Sequence, residues 1–321
     1  MNTNLDPRVV TPFESLMAMK MKSKGFRLPP TSKIISKLSG TRLSKYRGRG
    51  LNFEEFRHYQ MGDDIRSIDW QVTQRTGDPH VRVYSEERDL SVVLFIDQRT
   101  SMFFSSVDTM KSVVAAHIAA CCAWKITSDS DRVGALIFND EGMSWYKPQR
   151  NPAHVSRILR TLTKANEDLS HANCSQISHS QPFSNLQSGF SKGLNKLTKL
   201  KLKGSLVVMI SDFAGVNEQD INAIKWLKRH NDVLGVAIND PMELDLSFRQ
   251  SMHISDGHSQ LPVGPELNSK LASYNQSTRS DRSQVHSMIR AGGVGVIELD
   301  TSGNHLHQFL EQVSGKPYVS K

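Results

Sequence analysis

The sequence predicts an α/β fold: a mostly parallel, Rossmann-like sheet with helices on both faces, preceded by a region rich in turns and strands. Three observations carry this. From Ser91 onward, short apolar runs alternate with longer segments of helical periodicity, the pattern that crossover connections between parallel strands require. The run Val92-Val93-Leu94-Phe95-Ile96 is apolar at every position, as in a strand covered on both sides. That run ends in Asp97, so the strand delivers a carboxylate at its carboxyl end, where ligands bind in open α/β sheets.

Residues 1–48 are polar, basic and weakly patterned, broken by Pro29-Pro30 and Gly40, and read as a partly ordered arm. Residues 49–90 read as short strands and turns, with Gly77-Asp78-Pro79 turning into an alternating strand at Val81 and Val83;. The main domain is expected over 91–315. It opens with a strand ending at Ile96, a helix over 106–127 and a second strand over 131–138, to which Met143–Lys147 pairs. Pro152 suits the first turn of a helix over 151–164, and the Ser-, Asn- and His-rich stretch 165–183 reads as a surface loop. A helix over 184–200 leads to a strand over 205–210 that ends in Ser211-Asp212. A helix over 218–230, a strand over 232–238 and a turn at Asp240-Pro241-Met242-Glu243 come next. A polar helix around 284–291, a strand over 294–299 and a helix over 305–313 close the chain.

The formal charge is +8, but residues 1–50 hold eleven Lys and Arg against Asp6 and Glu14, so the rest is close to neutral;. A basic arm can attract nucleic acid or anionic lipid through phosphate contacts. No aromatic stacking platform accompanies it, so a solvated arm is the simpler expectation. Cys121, Cys122 and Cys174 form no disulfide framework or metal spacing;, and Cys121-Cys122 lies in an Ala-rich helical run as core filling. No apolar stretch reaches the roughly 20 residues of a membrane span. The N-terminus lacks a signal-peptide core, which leads to the expectation of a cytoplasmic protein.

The most specific signal lies in 49–90. Gly50, Phe53, Phe56, Tyr59, Gly62-Asp63-Asp64, Arg66, Ile68-Asp69-Trp70, Arg82 and Glu86-Glu87-Arg88, followed by the Val92–Asp97 run, resemble the MoxR-associated family called domain of unknown function 58. The late Asp240-Pro241-Met242-Glu243 matches it as well. The resemblance implies a von Willebrand A-like body and work alongside a MoxR-type AAA+ ATPase, in assembly or activation of other proteins. Relatives often carry membrane helices near the N-terminus, a feature this sequence departs from.

Von Willebrand A-like domains end their first strand in Asp-x-Ser-x-Ser, and a Thr and a second Asp complete a magnesium site. The stretch Asp97-Gln98-Arg99-Thr100-Ser101 keeps Asp97 and Ser101 but places Arg99 where the first Ser belongs. Ser184 takes the Thr position, and Asp212 supplies the last carboxylate. A guanidinium about 4 Å from a divalent ion is repelled by roughly 8 kcal/mol at an effective dielectric near 20. Arg99 is therefore expected to neutralise Asp97 and Asp212 as a built-in cation, so that no cofactor is needed. Magnesium at Asp97, Ser101, Ser184 and Asp212, with Arg99 swung into solvent, is the competing reading. A partner is expected to dock on the loops around Asp97, Arg99, Ser101, Ser184 and Asp212, with a partner carboxylate meeting Arg99.

In the signature region, Asp63, Asp64 and Asp69 stand among Arg57, Arg66 and Arg82, a mixture suited to a salt-bridge lattice that provides a second surface. Trp70 is expected in the core, an exposed interface anchor being the alternative. The competing functions are a metal-dependent hydrolase using these acids and a nucleic-acid or membrane-surface binder using the arm. No HExxH, Walker-type or GxGxxG pattern is present;, and a non-enzymatic adaptor is the preferred reading.

Overall fold

A computed structural model describes residues 6–26, 28, 51–86, 90–175, 186–244, 246, 252–255, 260–264, 271, 275–276, 287, 290 and 292–313. The chain forms two compact units, one of residues 1–33 with 90–321 and one of residues 34–89. The expected helix around 284–291 lies largely outside the described residues.

The smaller unit is a hairpin of β1 (Leu51–His58) and β2 (His80–Glu86), antiparallel with a bulge between Phe53 and Glu55. Between the strands lies α2 (Trp70–Thr76). Asp69 starts α2 by accepting the Gln71 and Val72 N–H groups, and Gly77 ends it at φ 83°. That left-handed turn is open to glycine without a Cβ penalty.

The larger unit is built on a six-stranded sheet in the order β10-β7-β6-β3-β4-β5. Its strands are β3 (Ser91–Asp97), β4 (Arg132–Phe138), β5 (Met143–Gln149), β6 (Ser205–Ser211), β7 (Asp232–Asn239) and β10 (Gly295–Asp300). All neighbours are parallel except β4 and β5. The chain starts in the middle at β3, moves out to an antiparallel edge, then returns to fill the other half, which is the von Willebrand A-like arrangement. The direction reverses between β3 and β6, so their carboxyl ends lie side by side at the switch point. A separate hairpin joins β8 (Met252–Ser255) to β9 (Gln260–Val263).

Residues of β3 serve both faces in alternation. Val92, Leu94 and Ile96 join one core, with α3 (Lys111–Ser128) and α4 (Pro152–Ser175). Val93 and Phe95 join the other, with α5 (Leu186–Lys199) and α6 (Glu218–His230). This is why the run is apolar throughout. Helix α3 is buried around most of its circumference, because a further layer covers it. That layer includes α8 (His305–Val313), which follows the single turn α7 (Pro241–Leu244), and α1 (Phe13–Lys22).

Helix α1 modifies the expectation of an arm. Its Leu16 and Met19, and Phe26 beyond it, are buried in the first core, and Trp124 Nε1 donates to the Leu16 carbonyl at 3.2 Å. Lysines on its exposed side conceal an apolar face in the sequence. The stretch read as a loop over 165–183 is also corrected: α4 runs on to Ser175, with Asn166, Leu169 and Ser170 buried. The polar character that suggested a loop belongs in part to inward groups such as Asn166, which donates to Gln98 Oε1 at 3.1 Å.

Candidate functional site

Asp97 ends β3 and Asp212 follows the adjacent β6, and the register that pairs Ile96 with Ile210 brings them together. Arg99 closes over both. Its Nε lies 3.0 and 3.1 Å from the two Asp97 oxygens, its Nη2 2.7 Å from Asp97 Oδ2 and 3.5 Å from Asp212 Oδ1. Its Nη1 donates to the Ala214 carbonyl at 3.3 Å, and the guanidinium sits 5.4 Å from the Phe190 ring. Ser211 Oγ donates to Asp97 Oδ2 at 2.6 Å. The turn after β6 is held in a sparsely populated backbone region, with Phe213 at φ 54°;. Ala214 N–H donates to Asp212 Oδ1 at 2.9 Å.

A second cation completes the group. Lys111, the first residue of α3, places Nζ 3.0 Å from Asp212 and 2.7 Å from Glu243. Arg99 is 0% exposed and Lys111 1%. Burial alone would raise the Asp212 pKa, but Lys111 and Arg99 beside it win and hold it at about 2. Burial would also lower Lys111, which Asp212 and Glu243 outweigh. Burial pushes Asp97 up against the pull of Arg99. A guanidinium does not give up its proton, and both Asp97 oxygens accept hydrogen bonds from Arg99 with Ser211 adding another, the arrangement that favours the carboxylate form;. Three carboxylates thus meet two buried cations, each hydrogen-bonded, the condition under which buried charge is tolerated.

A magnesium ion wants oxygens at about 2.0–2.1 Å, and at Asp97 those oxygens are taken by Arg99. The residues present do not fit a metal in this arrangement. Ser101, the remaining serine of the motif, has a buried Oγ without a hydrogen-bond partner among the described residues. Ser184 lies outside the described residues. Direct docking of a partner on Asp97, Arg99 and Asp212 is corrected: all three are buried, so a partner carboxylate has no path to the guanidinium.

The same edge is bolted further along. Asp240 accepts from Ser106 N and Oγ at 2.7 and 2.5 Å and from Thr301 Oγ1 at 2.6 Å, tying the β3–α3 loop to the ends of β7 and β10. At the other end, Asp140 Oδ2 accepts from Thr100 N and Oγ1, both at 2.7 Å. Lys111, Asp240 and Glu243 were not among the expected site residues. The Asp240–Glu243 motif was the signal available for two of them.

In the smaller unit the acids are used locally. Asp63 takes two hydrogen bonds from Arg57 Nη2, at 3.0 and 2.9 Å, and the Gln60 N–H with Arg57 keeps its pKa low. Asp64 accepts from Arg66 N. Asp69 pairs with Arg82 and caps α2; burial raises its pKa, but Arg82 and the two N–H groups lower it overall. Trp70 corrects the expectation of a core position: it is 65% exposed, and Met61 and Ile65 are exposed as well.

Comparison with known proteins places these features in a wider group. An uncharacterized protein of Mycobacterium tuberculosis is 26% identical over 290 residues, covering 87% of this chain and 84% of the relative. The conserved hypothetical protein BatB from Bacteroides thetaiotaomicron aligns over 70% of this chain and 98% of its own, at 11% identity and TM-score 0.41. A protein of Bacteroides fragilis described as an aerotolerance-related membrane protein aligns over 70% and 99%, at 12% identity and TM-score 0.37. That description overturns the cytoplasmic expectation, which had rested on the lack of a membrane span. Among the described residues no helix is long and apolar enough to cross a membrane, and this alone assigns no compartment. A family model matches residues 55–284, from the first hairpin through the whole switch-point site, and the chain belongs to the family described as Protein of unknown function DUF58.

Proposed function

We propose that this protein is a non-catalytic docking module that engages another protein through the loops at the carboxyl edge of its six-stranded sheet. One observation carries the reading. The position that would hold a metal is filled by Arg99, bonded to Asp97 and Asp212, so the edge is a rigid, prefolded surface without a reactive centre. The local pairing of Asp63 and Asp69 with arginines supports it, because each acid is held by its own arginine instead of converging with the other for hydrolysis. The partner class we propose, following the family resemblance, is a MoxR-type AAA+ ATPase.

A photo-cross-linking residue at Val107, on the β3–α3 loop, tests this beside one at Lys201, at the opposite edge. Cross-linking in the native cell, read by mass spectrometry, is expected to link an AAA+ ATPase from Val107 and not from Lys201. Links only from Lys201 would move the interface away from the carboxyl edge.

A further inference from the structure

We propose that the carboxyl edge binds a basic segment of its protein partner, with arginine or lysine flanking an apolar group. The usual electrostatics of a metal-bearing edge, a cation facing a partner's acid, is here reversed. This rests on the carboxyl-edge reading above and adds the chemistry of what docks there.

The inference starts from where the charges lie. The loops that lead from β3, β4, β6, β7 and β10 to the next helix or strand carry one Arg or Lys, Arg99, and it is fully buried. Lys111, at the start of α3, is buried too. Neither cation reaches solvent. The acids on the same loops do: Asp140 and Glu141 after β4 are exposed, as is Glu218 where α6 begins. Exposed Arg8, which reaches Asp108 of the β3–α3 loop, is already tied to it and to Asp6. On the same edge stand two exposed apolar side chains of the β3–α3 loop, Phe104 at 39% and Val107 at 58% exposure.

The loop holding them is fixed rather than adaptable. It is bonded to Asp140 at one end and to Asp240 and the Thr301 carbonyl at the other. Apolar groups on a fixed loop that shares its edge with exposed acids make a surface in which burial supplies affinity and charge selects the partner. A partner acid would meet Asp140 and Glu141 with no exposed cation of these loops to offset them. A partner arginine or lysine meets them favourably, without desolvating the buried ion pairs beneath.

The test uses the full chain with the cross-linker at Val107, alone and combined with Glu141→Lys and Glu218→Lys. Neither glutamate belongs to the buried lattice. The linked peptide is expected to come from another protein and to carry Lys or Arg close to the linked residue. The double charge reversal is expected to lower the yield about tenfold, and added salt to lower the wild-type yield, as for rim charges that steer association. An acidic linked peptide, or a yield unmoved or raised by the reversal, overturns the inference while the carboxyl-edge reading stands. A link to the chain's own sequence also overturns it, since the occupant is then a second copy. Failure of Val107 to link while Lys201 does removes the carboxyl-edge reading itself.

Discussion

Arg99 and Lys111 set the energetics of the carboxyl edge, because each is a buried counterion of its carboxylates. Arg99→Ala strips Asp97 of its guanidinium and leaves it with Ser211 and a backbone N–H. Removing one member of a buried pair costs about 3–5 kcal/mol, and that loss is expected in urea denaturation. Arg99→Glu adds a further buried acid and is expected to unfold the domain, so it cannot report on docking. Ser101→Ala is expected to change stability by no more than about 1 kcal/mol, since its Oγ makes no hydrogen bond among the described residues;. Millimolar magnesium is expected to leave the wild-type melting temperature unmoved. A clear rise that disappears in Asp97→Ala would overturn the built-in cation. Asp97, Arg99 and Asp212 were legible because each sits at or just beyond a strand end, where the topology gathers residues. Lys111 was not, since it opens a mostly apolar helix and meets Glu243 across 132 residues of sequence.

At the scale of elements, α5 and the helices around α3 make the next predictions. Gly189 of α5 lies against the site: a Cβ there would stand 2.9 Å from Arg99 Cδ and 3.4 Å from Asp140 Oδ1. Gly189→Ala is therefore expected to displace the arginine and cost about 1–3 kcal/mol by overpacking, again read by urea denaturation. Between α3 and α8, His117 Nδ1 and His305 Nε2 lie 3.0 Å apart, with Thr11 Oγ1 3.3 Å from His117 Nε2. Burial lowers the two imidazoles from 6.5 to about 3 and about 4. Lys22 acts in the same direction on both, and Asp300 and Asp108 oppose it at His305. The unfolded chain then binds more protons, so this contribution is complete above about pH 6.5 and fades as pH falls toward 4. The slope is up to about 1.4 kcal/mol per pH unit for each histidine. Urea midpoints between pH 7.5 and 5 should fall accordingly, and His305→Gln should flatten the decline. A flat wild-type profile would mean the pair is not buried neutral. None of this was readable in advance, because α1, α3 and α8 meet only through the fold and the apolar face of α1 is masked by lysines.

At the scale of the whole molecule, the sheet order was legible because period and composition mark each strand, and the switch point follows from that order. What the N-terminal residues do was not legible, because their net charge dominates the reading. Residues 6–26 are a strap across the first core: Met110 N–H donates to the Arg8 carbonyl, Thr11 N–H to Asn166 Oδ1, and Leu16, Met19 and Phe26 are buried. Phe26 packs edge-on against Phe309 of α8 at 5.4 Å between ring centres. If the strap is part of the core, deleting residues 1–26 uncovers apolar surface on α3, α4 and α8 together. Each large buried side chain lost is worth about 2–5 kcal/mol, comparable in sum to the whole stability of a domain. The truncated chain is thus expected to lose its cooperative thermal transition or to aggregate. Leu16→Ala, a milder change, is expected to lower the melting temperature while leaving the transition cooperative. A basic arm held by charge alone predicts the opposite, an unchanged melting temperature in both variants and a stability that falls with added salt. Thermal denaturation of the two variants at low and high ionic strength separates a strap that completes the core from an arm that only decorates it.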